Sequence, residues 1–199
     1  MTPRQGQKKA VSESAAQKKR QKKTKGRDLP FEGLIVALSN HDDAVRVRAR
    51  QSLVAMGKAA VPLLAEALKS KNSLMRWEAA KALGEIGAPE AASSLVMALE
   101  DEEFDVRWLA ATGLIAMTLK GLKPLLHALM EQGDSVWIRE GAHHVIHDLA
   151  KGELRKYLNP VLVALDSIDP AVEAPVAALH ALEKLEQDHK ISDTWRHIP

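Results

Sequence analysis

Three closely spaced histidines are the residues in this sequence best placed to do chemistry. The segment Arg139–Asp148 reads REGAHHVIHD, and His143 and His147 lie four residues apart, on one face of any helix formed there. His144 and Asp148 form a second pair at the same spacing. Imidazole and carboxylate groups spaced in this way can chelate a transition metal.

The rest of the sequence lacks what a metal enzyme or a covalent catalyst requires. It contains no cysteine, which excludes thiolate nucleophiles, disulfides and Cys-ligated zinc or iron–sulfur sites. It also contains no His-Glu dipeptide, and therefore no H-E-x-x-H motif. We predict no metal, no cofactor and no catalytic residue, and we interpret the histidines as core or surface residues.

The basic residues are concentrated in the first 28 positions. Ten Lys and Arg stand there against two acidic residues, a net charge of +8, whereas 18 basic and 24 acidic residues give the rest a net charge of −6. This composition predicts a disordered arm. Its cations would bind RNA, a ribonucleoprotein or an acidic surface in a salt-sensitive way. We assign that role to Lys18, Lys19, Arg20, Lys22, Lys23, Lys25 and Arg27; a nuclear-import signal and a solubilising tail are the alternatives.

Two markers recur with one period through the remaining sequence. Ala-Leu dipeptides end apolar segments, and their leucines are 30, 31, 30 and 36 residues apart. A hydrophobic residue followed by arginine recurs between them, with the arginines 30, 31 and 32 residues apart. This period indicates a solenoid, in which each unit buries its apolar face against its neighbours. The leucines are Leu38, Leu68, Leu99, Leu129 and Leu165, and the arginines are Arg46, Arg76, Arg107 and Arg139.

The units are predicted to be helical. Ala and Leu dominate the hydrophobic residues and aromatics make up only 4%, which favours helices over strands. We predict an all-α solenoid of four to five helix pairs, about ten helices, over residues 29–188, followed by a short polar tail at 189–199. The predicted N-caps are Asp42, Asn72 and Asp134, the predicted stops are Gly57 and Gly87, and Pro62, Pro124 and Pro160 are placed near helix starts.

The repeat resembles a known family. Met75–Gly87 reads MRWEAAKALGEIG and matches the pattern D-x-x-V-R-x-x-A-A-x-A-L-G-x-I-G of HEAT-like repeats of the phycobilisome-lyase type; Asp42–Gly57 and Val106–Met117 match it in part. The resemblance covers roughly residues 30–187. It implies an architecture rather than an activity, because such repeats occur in lyases, hydroxylases, DNA-repair glycosylases and adaptors. It leaves a bilin lyase-like or pigment-protein chaperone enzyme as one alternative function.

The repeated arginines and the acidic run between two repeats are interpreted as structural. Each arginine lies within reach of the loop before its own helix, and one such residue at a fixed place in each repeat is typical of a stacking element. The acidic run Glu100–Glu103, with Asp105, is expected to be a solvated loop at a helix N-terminus. Binding of the basic arm by this acidic run is the alternative.

Tryptophan follows the repeat arginine in two units, and this placement predicts a binding surface. Trp77 and Lys81, four residues apart, point away from the apolar arc of their helix, and Trp108 has the same position one repeat later. We expect Trp77, Lys81, Phe104, Trp108, Trp137 and His144 to contribute to one exposed, partner-facing surface. In the alternative interpretation, the wide indoles cover gaps between Ala-rich helices.

The end of the repeat array is predicted to be irregular. Gly141 and the insertion Lys151–Tyr157 interrupt the fourth repeat. Asp169-Pro170 is predicted to start a fifth helix of the arginine-bearing type, with Pro175 in place of the arginine.

These features together predict a non-enzymatic protein-binding scaffold with a polyanion-binding arm. A nucleic-acid-binding accessory protein is the remaining alternative. No apolar run is long enough to cross a bilayer and no signal-type core follows Met1, so we expect a cytoplasmic protein without a membrane partner.

Overall fold

The structure is a computed structural model that describes residues 31–188. Within these residues the chain forms α-helices and short 3₁₀ segments, and no strand. The basic arm, with all seven cations assigned to polyanion binding, and the polar tail at 189–199 lie outside the described residues. Phe31–Gly33 belong to a separate N-terminal unit, and the helical body begins at Leu34.

The helices alternate between two layers. The first layer contains the arginine-bearing helices α2 (Asp43–Met56), α4 (Ser73–Ile86), α6 (Phe104–Met117) and α8 (Val136–Leu149). The second layer contains α3 (Val61–Ala67), α5 (Ala92–Met97), α7 (Leu119–Glu131) and α9 (Arg155–Leu165); α1 (Phe31–Ala37) precedes the two layers and α10 (Pro170–Gln187) follows them. Short 3₁₀ segments lie at Gly57–Ala60, Pro89–Ala91, Ala98–Glu100 and Gly152–Leu154.

Neighbouring helices of the first layer pack side by side in chain order, and α4, α6 and α8 also pack against helices of the second layer. Leucines are the largest fully buried side chains, and alanines fill much of the remaining core. The predicted all-α solenoid is therefore confirmed. No helix in the described part of the chain is both long enough and apolar enough to span a membrane.

Capping side chains begin three of the first-layer helices. Asp42 accepts a hydrogen bond from the backbone N–H of Ala44, and Asn72 accepts one from that of Met75, as predicted. For α8 the predicted cap Asp134 is wrong. Ser135, one residue later, has the extended backbone of a cap, and its hydroxyl accepts the N–H of Ile138 at 3.2 Å.

Glycine and proline mark only some of the predicted helix boundaries. Gly57 and Gly87 end α2 and α4 with φ of 59° and 61°, values that favour glycine. Pro62 lies at the start of α3 as predicted. Pro124 and Pro160 instead lie inside α7 and α9, because these helices begin more than a turn earlier than expected.

Small residues allow α4 and α6 to approach closely. A Cβ atom on Gly113 of α6 would lie 3.0 Å from the Cα of Gly84 on α4 and 2.9 Å from a methyl carbon of Leu95. Side chains larger than hydrogen would separate the two helices, since interiors are packed to near-crystalline density. This contact sets the spacing between the two repeats that carry Trp77 and Trp108.

The last helix does not continue the first layer. Helix α10 is present as predicted, but its main contacts are with α7 and α9 of the second layer. Its buried side contains Ala174, Ala178 and Leu185, and the ring of Pro175 lies beside Gly133, where a Cβ atom would overlap it. The predicted fifth helix is therefore present, but the prediction that it packs as a first-layer helix is wrong.

Candidate protein-interaction surface

The repeat arginines tie each first-layer helix to the loop before it. In every case the Nη1 atom donates a hydrogen bond to the carbonyl oxygen six residues earlier. The pairs are Arg46 with Asn40 at 2.8 Å, Arg76 with Ser70 at 2.9 Å, Arg107 with Asp101 at 2.7 Å and Arg139 with Gly133 at 2.7 Å. The structural interpretation of these arginines is confirmed.

A buried carboxylate links the first two first-layer helices. Glu78 of α4 is 1% exposed, and its two oxygens lie 3.3 Å from Arg46 Nε and 2.5 Å from Arg50 Nη1, both on α2. This role was not predicted from the sequence. The available signal was a glutamate beside the Ala-Ala pair of an otherwise apolar arc, and such a charge needs a partner when buried.

A second ion pair links α4 to the loop before α6. Arg76 contacts Asp101 at 2.7 Å and Glu102 at 2.8 Å, and the side chains of Arg76 and Asp101 are both nearly buried. The hydrogen bond with Asp101 raises the pKa of Arg76 above its ordinary value, although burial opposes this shift. The next junction uses Glu100, which accepts a hydrogen bond from the hydroxyl of Ser135. The prediction of a solvated acidic loop is therefore wrong for Asp101, because its ion pair with Arg76 joins two repeats.

Adjacent faces of α6 and α8 form an exposed group of rings. We call Phe104, Arg107, Trp108, Trp137 and His144 the aromatic surface. The side chains of Phe104, Trp108 and Trp137 are 63%, 49% and 39% exposed, as the sequence analysis predicted. The Trp108 ring stacks on His144 with centroids 4.6 Å apart, and Phe104 lies 6.2 Å from Trp108. Two repeats thus contribute to one contiguous surface.

Arg107 joins the rings of the aromatic surface. Its guanidinium carbon lies 4.8 Å from the centroid of Trp137 and 5.7 Å from that of Phe104. These distances are in the range of cation–π attraction. The same guanidinium donates a hydrogen bond to the loop carbonyl of Asp101. Arg107, which was predicted only to help stack the repeats, therefore also orders the exposed rings.

Trp77 does not belong to this surface. It is partly buried and packs against the core, so it is less exposed than predicted. Lys81 lies over the Trp77 ring, with Nζ 4.8 Å from the centroid. Trp77 and Lys81 thus form a separate pair, and their partner-binding role stays a prediction.

The arrangement of repeats agrees with the comparison with known families. Residues 31–115 match the family model for HEAT repeats. This part of the chain, less than half of it, is similar to HEAT repeats. The match does not extend to the phycobilisome-lyase type.

No curated protein matches the sequence. Among solved structures, the chain is similar to a crystal structure of an engineered protein from the Northeast Structural Genomics Consortium. The two are 21% identical, with 81% of this chain and 74% of that chain covered, and the TM-score is 0.36. A likeness at this level supports no statement about function.

The histidines of the fourth repeat have separate surroundings. His143 Nε2 lies 3.1 Å from an oxygen of Asp166, and its ring lies 6.2 Å from that of the exposed His147. His144 instead stacks on Trp108. Between residues 31 and 188, no group of three or more histidine, aspartate or glutamate side chains is arranged to hold a metal ion.

Proposed function

We propose that this HEAT-like repeat protein is a non-enzymatic scaffold that binds a partner protein through the aromatic surface. HEAT repeats generally mediate interactions between proteins. The observation that carries the proposal is the exposed stack of Phe104, Trp108 and His144, with Arg107 and Trp137 beside it. Trp and Arg are enriched among the residues that dominate binding energy at protein interfaces.

The energetics of the aromatic surface favour a function over a packing role. Fully burying a ring the size of Phe104 is worth about 1.5–3 kcal/mol, and most of that is not realised while the ring is exposed. A partner that covers Phe104 and Trp108 would gain this free energy. The rings are already held by stacking and by Arg107, so their ordering on binding would cost little.

The basic arm forms the second part of the proposal. Its charge of +8 supports binding to RNA, a ribonucleoprotein or an acidic surface. Polyanion binding by the arm and protein binding by the aromatic surface would then be separable. The scaffold would bring a protein partner to a polyanion.

The test uses the double variant Phe104→Ala/Trp108→Ala. Affinity for the partner should fall at least about tenfold, because a central interface aromatic contributes on the order of 2 kcal/mol. The free energy of unfolding should change by less than about 2 kcal/mol, since exposed positions contribute little beyond the ring stacking. The partner is first isolated from native lysate with the wild-type chain, and dissociation constants are then measured with purified proteins.

Met97→Ala is the matched control, because Met97 is an apolar side chain on α5 that is 67% exposed. It should leave affinity unchanged. Equal affinity of the wild type and the double variant would contradict the proposal. So would an equal loss in the Met97 variant.

A further inference from the structure

A shallow groove of about 330 Å³ crosses the N-terminal ends of α2, α4 and α6. Its apolar lining comes from Leu74 and Trp77 of α4, and the buried Val106 of α6 lies beneath it. Its acidic lining includes Glu103 and Asp105, which flank Phe104 of the aromatic surface. The groove therefore lies next to the proposed partner-binding rings.

The carboxylates of the groove are not equally neutralised. Asp43 contacts Arg46 at 2.6 Å, and Glu78 is held by the arginines of α2. Glu103 and Asp105 are both exposed, and neither forms a salt bridge with any residue in the range 31–188. The positive end of the α6 dipole stabilises Asp105 only in part. The groove thus presents two unpaired negative charges beside an apolar wall.

The indole of Trp77 is suited to contact with a cation. Lys81 of the same helix already lies over its ring. Counted from Trp77, Lys81 lies one turn toward the C-terminus of α4, and the groove residue Leu74 lies about one turn toward the N-terminus. Lysine and arginine side chains commonly lay their apolar stems along such a wall and keep their charged ends near solvent.

We propose that the groove binds a lysine or arginine side chain of the partner protein. The stem lies against Leu74 and Trp77, and the charged end lies between Glu103 and Asp105. This inference rests on the proposed function, since the groove and the aromatic surface would contact one segment of the partner. Charge complementarity selects the occupant, and the preferred segment carries a basic residue next to the residue that covers Phe104.

The test follows the indole N–H signal of Trp77 by NMR in the full chain. The chain has four tryptophans, and the signal is assigned with Trp77→Phe. An acetylated and amidated GKRKG peptide is titrated first, followed by GQQQG as its neutral counterpart. The basic peptide should shift the Trp77 signal in a saturable way, more weakly at high salt, and the neutral peptide should not.

The variant Glu103→Gln/Asp105→Asn removes both charges with little change in volume. It should weaken binding of the basic peptide by about tenfold, because each partly exposed ion pair contributes a modest amount. Glu66→Gln, which removes an exposed charge on α3, is the control and should bind normally.

Three results would overturn the inference: no shift of the Trp77 signal with the basic peptide, equal shifts with both peptides, or unchanged affinity in the double variant. A Trp77 signal that moves on dilution of the chain alone would assign the groove to a second copy, which would also overturn it. This test alters neither Phe104 nor Trp108. Its failure would therefore not contradict the scaffold proposal, which has a separate test.

Discussion

Replacing Glu78 with glutamine should weaken the junction between α2 and α4. The substitution keeps the shape of the side chain but removes the charge that Arg46 and Arg50 share. Its amide group would also direct N–H donors toward guanidinium groups, which have no acceptor. The change should therefore destabilise the fold without creating a cavity.

The size of the expected destabilisation depends on the carboxylate partners that Arg46 and Arg50 keep after the substitution. Breaking a buried ion pair by removing one partner costs about 3–5 kcal/mol. Arg46 keeps Asp43 at 2.6 Å, and Arg50 keeps a Glu85 oxygen at 3.4 Å from its Nε. These remaining partners place the expected loss of unfolding free energy near the lower limit, at about 3 kcal/mol. For a chain of this size the melting temperature should fall by about 6–12 °C.

Urea unfolding followed by circular dichroism, with thermal melting beside it, measures the effect. Glu66→Gln is the control, because its ion pair with Lys69 is exposed and should contribute under about 1 kcal/mol. Arg50→Met, alone and combined with Glu78→Gln, completes a double-mutant cycle that isolates the pair. A folded Glu78→Gln protein that loses less than about 1 kcal/mol, or a cycle without coupling, would refute the reasoning.

Three further predictions address other parts of the molecule. Burial, together with a hydrogen bond to Asp188, raises the pKa of Tyr157 above its ordinary value of about 10. Absorbance at 295 nm should therefore show this single tyrosine ionising above pH 10, and Asp188→Asn should lower the midpoint. Gly121→Ala should cost about 2 kcal/mol in unfolding free energy, since its Cβ would lie 2.5 Å from a backbone oxygen of Leu114. Deleting residues 1–28 should abolish retention on heparin and its steep salt dependence.

Each of these predictions has its own control or contrary result. Because the folded pKa of Tyr157 is the higher one, its contribution to stability is complete below pH 10 and is lost as the pH rises through the folded value. A midpoint at or below pH 10 would contradict the prediction. Lys120→Ala, at the exposed position beside Gly121, should change stability by less than about 0.5 kcal/mol. A truncated chain that binds heparin as well as the full chain would place the polyanion site in the body.

The sequence predicted the repeat architecture because the same constraint acts on every unit. Each repeat needs an apolar face, a cap and an arginine that reaches the preceding loop, so the markers recur at one spacing. Arg46 and Arg107 satisfy this constraint in the same way, with hydrogen bonds to carbonyls six residues back. Local periodicity was therefore sufficient for the repeats, although not for the packing of α10.

The surroundings of individual side chains could not be predicted in this way, because they depend on which helix is adjacent. Trp77 and Trp108 have the same place in the repeat, yet one packs against the core and the other is half exposed. The roles of Glu78 and of the α10 face around Pro175 likewise depend on contacts between repeats, for which one sequence carries no direct signal.

The hydrogen bonds of the repeat arginines are the same in every unit, and they do not depend on the side chain that follows each arginine. The side chain that follows the arginine is Val47, Trp77, Trp108 or Glu140 in successive units, although the arginine contact itself is the same. A unit can therefore exchange this neighbouring side chain without altering the bond that anchors its helix. Trp77 packs against the core at this position and Trp108 is half exposed, so the same anchor supports side chains with different surroundings.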